Sequence, residues 1–357
     1  MGLWNTTKKI SYRHRYNIIL TMKIEEHASL TALNTFGLHP NARVLAEFDN
    51  KDELRALLHR YSGERFLTVG EGSNLLFLRD FDGVVLHSRM CRARALKETK
   101  DEVWIEAESG LRLDDLIQQL ADMDLRGLEN LSHIPGTVGA SAVQNVGAYG
   151  VEAKDVIETV RAIAVQTGEE VTFTNADCCF AYRDSRFKND WKDQYVITAV
   201  TFRLKKEGGL RLDYGGLGNA FEGRDLSQLT PLEVREKVIE IRRRKLPEVG
   251  EFGSAGSFFK NPVISPTCFE ALQTQYPAMP HFDTSDGVKV PAAWLIEQCG
   301  LKGCQHGGAR VWDKQPLVIV NAGNASAEDI RLLAEKVMKD VSGRFGITLS
   351  PEVNYIE

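Results

Sequence analysis

The stretch from Ile134 to Gly150 constrains this chain more than any other. Glycine stands at positions 136, 139, 147 and 150, and alanine or serine at 140, 141, 142 and 148. Small side chains over such a length let the backbone lie against something flat or highly charged, and glycine reaches left-handed dihedrals that other residues avoid. A pyrophosphate with an adenine or flavin ring would satisfy that reading. A buried crossover packed closely on a sheet would satisfy the same residues, and the segment alone leaves both open.

Other segments narrow the choice. Gly70-Glu-Gly-Ser-Asn74 lies between the apolar runs 65–69 and 75–78, where glycines open backbone N–H groups to an anion and Ser and Asn add donors. It has neither the lysine of a P-loop nor the spacing of a dinucleotide fingerprint, and a tight strand connection also explains it. Residues 181–188 gather aromatic, cationic and acidic side chains, which suits a charged ligand or a solvated loop. In Gly253–Pro262 the glycines set Ser257 on a bend ahead of Phe258 and Phe259, without the nucleophile elbow of a hydrolase. Lys260 and Asn261 would suit a phosphate and a uracil or sugar hydroxyl. The cations of 242–245 end a helix, where its dipole favours them. Glu352 is read in an apolar terminal strand, where a carboxylate is costly unless paired.

Composition excludes several classes. The 44 Lys+Arg and 49 Asp+Glu leave a net charge of −5, against the clustered positive charge that captures nucleic acid. With 43% hydrophobic and 26% charged residues the chain reads as soluble and globular, and no apolar run approaches the roughly 18 residues of a membrane span. Six cysteines without a CxxC pair fit reduced thiols and the cytoplasm. The eight histidines lack ligand spacing, so no metal is expected. Residues 1–23 read as a disordered extension, with Met22 as an alternative start, and the chain as a monomer.

Helices are expected over 52–61, 113–123, from the capping box Thr230–Glu233 to Lys245, over 294–299, and from the box Ser326–Asp329 to Phe345. Strands are expected at 84–87, 103–108, 156–165, 170–173, 195–204 and 316–320, with a glycine-rich turn over 250–256. The fold class is α+β in mixed layers, not a doubly wound sheet.

Taken together, the segments resemble the UDP-N-acetylenolpyruvoylglucosamine reductase family of flavoenzymes. The resemblance runs through Asn34-Thr-Phe-Gly37, Gly70–Asn74, Gly127-Leu-Glu-Asn130, Ile134–Gly150, Tyr182-Arg-Asp-Ser185, Gly256–Pro262, Trp294-Leu-Ile and Pro351-Glu-Val353, and so covers residues 30–357. Leu212-Asp-Tyr-Gly215 is similar to the loop of type I members whose tyrosine closes over substrate. The departures are the first 30 residues, a stop five residues after Glu352, and Ser254 where Asn is frequent.

The resemblance implies a PCMH-type, vanillyl-alcohol-oxidase-like FAD region over about 40–207 and a smaller α+β substrate domain. It implies boundaries at 24–91 and 92–245 for two FAD subdomains, 246–346 for the substrate domain and 347–357 for a terminal strand carrying Glu352. FAD would be held by Gly70, Glu71, Gly72, Ser73, Asn74, Pro135, Gly136, Gly139, Ala140, Ser141, Asn145, Gly147, Ala148 and Tyr149. NADPH would reduce the flavin, and hydride would then pass to the enolpyruvyl β-carbon of the nucleotide sugar. Arg183 and Glu352 would stabilise the resulting enolate and Ser257 would protonate the α-carbon, while Tyr182, Tyr214, Lys245, Asn261 and Gln315 would bind substrate. The alternatives are a PCMH-type flavin oxidase or dehydrogenase with another substrate, and a flavin-free nucleotide-sugar-binding protein.

Overall fold

The computed structural model describes residues 12–13, 19–20, 22–208, 210–214, 216–247 and 250–357. Seven α-helices lie among them: α1 (Lys51–Arg60), α2 (Leu113–Asp122), α3 (Val138–Gln144), α4 (Pro231–Lys245), α5 (Pro266–Gln275), α6 (Ala292–Gln298) and α7 (Ala327–Phe345). Local chemistry sets their ends. Asn50 accepts from Glu53 N–H to open α1, Thr230 and Glu233 exchange bonds ahead of α4, and Ser326 and Asp329 do the same for α7, which stops at Gly346 with φ +67°. The Thr230 and Ser326 boxes therefore open the helices the sequence leads one to expect.

The chain divides into two compact units, the first comprising residues up to Ser29, Asn41–Glu71 and Phe81–Arg242, the second Leu30–Pro40, Gly72–Asp80 and Arg243–Glu357. The first unit contains two sheets. In one, Lys23–Ser29, Asn41–Phe48, Phe81–Ser88 and Phe66–Thr68 stand side by side, antiparallel at the first pair and parallel at the other two. Leu54 and Leu57 of α1 are fully buried against Val44, Phe48, Val84 and Leu86, each such burial contributing about 1.5–3 kcal/mol. The other sheet is antiparallel, in the order Glu170–Thr174, Ile157–Ala164, Tyr195–Lys205, Glu102–Glu108, Ala93–Glu98. Its apolar face packs with α2 and α3 through Leu113, Leu116, Ile117, Leu120, Val138 and Ala142.

The second unit has an antiparallel sheet of Gly253–Ser257, Val318–Asn321, Ala309–Val311 and Gln305–His306, with α6 and α7 supplying Leu295, Ile296, Ile330, Leu333 and Val337 to its core. Val263–Ile264, Gly287–Lys289 and Phe282–Thr284 form a smaller sheet. Asn354–Ile356 pairs parallel with Leu75–Phe77. Among the described residues no helix is long and apolar enough to cross a membrane.

Three local expectations need correction. The expected glycine-rich turn 250–256 is largely the strand Gly253–Ser257, because Gly253 abuts the Phe36 carbonyl so closely that a Cβ would sit 2.1 Å from its oxygen; here glycine permits backbone contact. Glu352 lies two residues before the terminal strand, which begins at Asn354. The extension expected over 1–23 lies mostly outside the described residues; Met22 is buried in the first unit's core and Lys23 opens a strand.

Candidate active site

The small-residue stretch is held in a strained shape. His133, Gly136, Asn145, Tyr149 and Gly150 all have positive φ, and Tyr149 (+47°) and Gly150 (+79°) form the two-residue turn between the paired segments Gly147–Ala148 and Val151–Glu152. Left-handed non-glycine residues cost about 1–3 kcal/mol each and persist only where the surroundings hold them. Those surroundings are visible. Asp114 at the start of α2 accepts the His133 N–H at 2.6 Å and is clasped by both terminal nitrogens of Arg235 on α4, whose Nε reaches Gln118 Oε1 at 2.8 Å. Burial alone would push the Asp114 carboxyl up, but the Arg235 bonds and charge with the His133 N–H leave it below the usual carboxylate range.

Glu71 accepts the Gly136 N–H and pairs with Arg112 Nε at 2.8 Å. Gly70 lies where a Cβ would meet the Thr137 hydroxyl at 2.7 Å, and Gly139 where one would meet Ser109 Cβ at 2.9 Å. Ser141 donates to the Val138 carbonyl, and Asn145, completely buried, donates to Ala181 and Glu152 while accepting from Lys154 N–H. Ala140 is exposed, and Pro135 too, whereas Ala148 and Tyr149 are half-buried. Burial pushes the Tyr149 hydroxyl up against the opposing charge of Arg242, so it stays protonated at neutral pH. Asn130 is fully buried with Oδ1 unpartnered among the described residues. The backbone shaped by small residues from Gly136 to Ala148 fits a large flat ligand such as FAD.

The structure brings Tyr182, Arg183 and Tyr214 to the same stretch. Ala181 and Asp184 bond each other through both backbone groups, turning the chain so that Arg183 takes φ +55°. Its Nη2 donates to the Gly147 carbonyl, and its guanidinium stands 5.2 Å from the Tyr182 ring centre. Burial raises the Tyr214 hydroxyl, with Arg183 acting in the opposite sense, so Tyr214 too remains a donor at neutral pH.

In the second unit the strand register breaks between Ser254 and Ser257, with Gly256 at φ +68°. This places Ser257, half-buried, just before Phe258, whose carbonyl accepts the Glu352 N–H at 2.8 Å. Asn74 Nδ2 donates to the Glu352 carbonyl at 3.1 Å. Ser257, Glu352 and Asn74 are therefore neighbours through the backbone, and Ser73 lies half-buried beside Asn74. Gly72 has φ +66°, and a Cβ there would fall 1.8 Å from the Leu33 carbonyl oxygen. Gly72→Ala is expected to cost at least about 2 kcal/mol of stability, read as a lowered urea midpoint; an unchanged midpoint would contradict the close approach.

The remaining binding candidates are more scattered. Lys245 ends α4, its carbonyl accepting Trp312 Nε1 at 3.0 Å; Asn261 Oδ1 caps α6 by accepting Ala292 N–H at 2.9 Å; Gln315 turns the chain into Val318. Sequence reasoning gave Arg235 no role and read Arg242 only as one of the cations at a helix end. Arg235 falls between Val234 and Val238 on the buried face of α4, and a cation at an inward position was the available signal. Arg242, whose Nε donates to the His133 carbonyl at 3.2 Å, was hidden among neighbouring cations.

Residues 248–356 match the C-terminal domain of UDP-N-acetylenolpyruvoylglucosamine reductase, and residues 42–174 match an FAD binding domain. The Neisseria gonorrhoeae protein of that name is 46% identical over 339 residues, 93% of this chain and 97% of that one. The chain belongs to the UDP-N-acetylenolpyruvoylglucosamine reductase family. A family member from Flavobacterium johnsoniae is 41% identical over 337 residues, 94% of this chain and 100% of its own. The crystal structure of the Thermus caldophilus UDP-N-acetylenolpyruvylglucosamine reductase, 24% identical, superposes with a TM-score of 0.67 over 94% of this chain and 100% of that one, so the fold is shared. The α+β expectation holds, and the chain is an FAD-containing oxidoreductase of this family.

Proposed function

We propose that this reductase converts UDP-N-acetylenolpyruvoylglucosamine to UDP-N-acetylmuramate with NADPH as reductant, a step of peptidoglycan precursor synthesis carried out in the cytoplasm. The observation that supports it most directly is the backbone bond from Glu352 N–H to the Phe258 carbonyl, which ties the segment carrying the carboxyl to the residue that follows Ser257. Bound FAD would relay the two electrons from NADPH to the enolpyruvyl group. The residues with a place beside it are Gly70, Glu71, Gly72, Ser73, Asn74 and the stretch Pro135–Tyr149, where Glu71, Ser141 and Asn145 act by fixing the backbone.

Reduction of the enolpyruvyl double bond puts negative charge on the substrate carboxylate side, and preorganised cations stabilise such charge better than water does. Arg183, tethered to Gly147, supplies that charge; Glu352 stabilises the same charge from a protonated or proton-sharing carboxyl; Ser257 delivers the proton to the α-carbon. Tyr182 and Tyr214 contact the substrate, and Lys245, Asn261 and Gln315 its nucleotide part. Absorbance of the purified holoenzyme tests the reading. Anaerobic NADPH should bleach the flavin band and the enolpyruvyl nucleotide should restore it; recolouring with oxygen alone would point to an oxidase.

A further inference from the structure

We propose that Asn130 and Arg211 form a latch that positions Tyr214, and so set how well the enzyme closes on its nucleotide-sugar substrate; this rests on the reading of Tyr214 as a substrate contact. Asn130 is fully buried, and its amide donates to two carbonyls that belong to different segments, Tyr149 at 2.8 Å and Arg211 at 2.7 Å. Arg211 then reaches back: Nη1 donates to the Gly150 carbonyl at 3.2 Å and pairs with Asp155 at 2.8 Å. Leu212, next in the chain, is buried with Leu217, Phe221, Val234 and Val238. Three successive anchors thus end two residues before Tyr214.

The landing place is equally defined. Gly150 sits at φ +79°, and a Cβ there would lie 3.0 Å from Tyr214 Cβ, so the tyrosine rests against the bare turn Tyr149–Gly150. Asn130 bonds one side of that turn and the loop that carries Tyr214, with a single amide for both. An aspartate would match its shape but carry no donor for either carbonyl, leaving two buried acceptors unsatisfied. Asn130 and Arg211 are positioning residues, acting on substrate only through Tyr214.

The test compares holoenzymes bearing Asn130→Asp, Tyr214→Ala and both. Asn130→Asp should raise KM for the enolpyruvyl nucleotide about tenfold while flavin content and the rate of NADPH bleaching stay unchanged, and amide exchange over 210–214 should quicken. In the Tyr214→Ala background it should add no further rise. Additive KM effects, or equal loss of flavin and of both half-reactions, would overturn the latch. If Tyr214→Ala leaves KM unchanged, the substrate-contact reading of Tyr214 falls, and exchange decides the latch by itself: faster exchange in Asn130→Asp supports it, unchanged exchange overturns it. Should Asn130→Asp fail to fold, Arg211→Met keeps the bonded carbonyl and removes only the side-chain arm; a smaller KM rise with faster exchange supports the latch, and no change in either overturns it.

Discussion

Ser257→Ala is expected to leave anaerobic flavin bleaching by NADPH untouched and to slow recolouring by the enolpyruvyl nucleotide about 10²- to 10⁴-fold, the range that a positioned proton donor contributes. The side chain is half-buried and its strand is held by backbone pairing with Val318, so removing one oxygen perturbs neither the sheet nor the core around Phe258 and Phe259. The loss therefore falls on one chemical step. Stopped-flow absorbance of each half-reaction measures it. Equal slowing of both would remove Ser257 from the protonation role, and unchanged recolouring would assign the proton to another group.

Arg235→Ala should be the most destabilising single change, about 3–5 kcal/mol, the cost of leaving a partly buried charge without its partner. Arg235 is only 6% exposed, and its fork satisfies Asp114 and Gln118 together. Asp114 in turn holds the His133 N–H where the small-residue stretch begins, so FAD retention should fall along with the urea midpoint. The pH dependence follows from the sign of the shift. In the native protein Asp114 is held below the usual range, so its contribution is present above the unfolded carboxylate pKa of about 3.9 and disappears as pH drops through the lower folded value. Without Arg235, burial raises the folded pKa, and that group then destabilises as pH rises above about 3.9. The gap between variant and parent should accordingly be wider at pH 7 than at pH 4. A gap that does not vary with pH would show that the pair contributes through packing alone.

Helix starts were legible because capping is local: Thr230 with Glu233, and Ser326 with Asp329, act within three residues. The strands expected at 156–165 and 170–173 were legible for the same reason, and they pair antiparallel across the short connection between them. The short helix α3 was not, since Gly139 and Ser141 argue against a helix, and Thr137 capping with contact to Ser109 outweighs their propensity. Strand Gly253–Ser257 was hidden because its partner Val318–Asn321 is far along the chain, and glycine reads as turn until the Phe36 backbone is seen against it. Ser257, Glu352 and Arg183 were nominated by residue type and motif, and their roles belong to the proposed function. The support beneath them was not legible: neither Asn145 as a buried hub nor Glu71 on the Gly136 N–H follows from spacing.

The parallel pairing of Asn354–Ile356 with Leu75–Phe77 carries a consequence for biosynthesis. About 280 positions separate the two strands, and at about 5–20 residues per second a ribosome needs on the order of half a minute to cover that distance. Through that interval Leu75–Phe77 is an open strand edge whose mate does not yet exist, and Asn74 has no Asn354 to bond. The second unit is therefore completed only once Asn354–Ile356 has been made, and the turn Gly72–Asn74 must wait for it. The nascent chain must be kept from pairing that edge with a stranger, which makes this unit the place where a folding helper or a slow codon would matter.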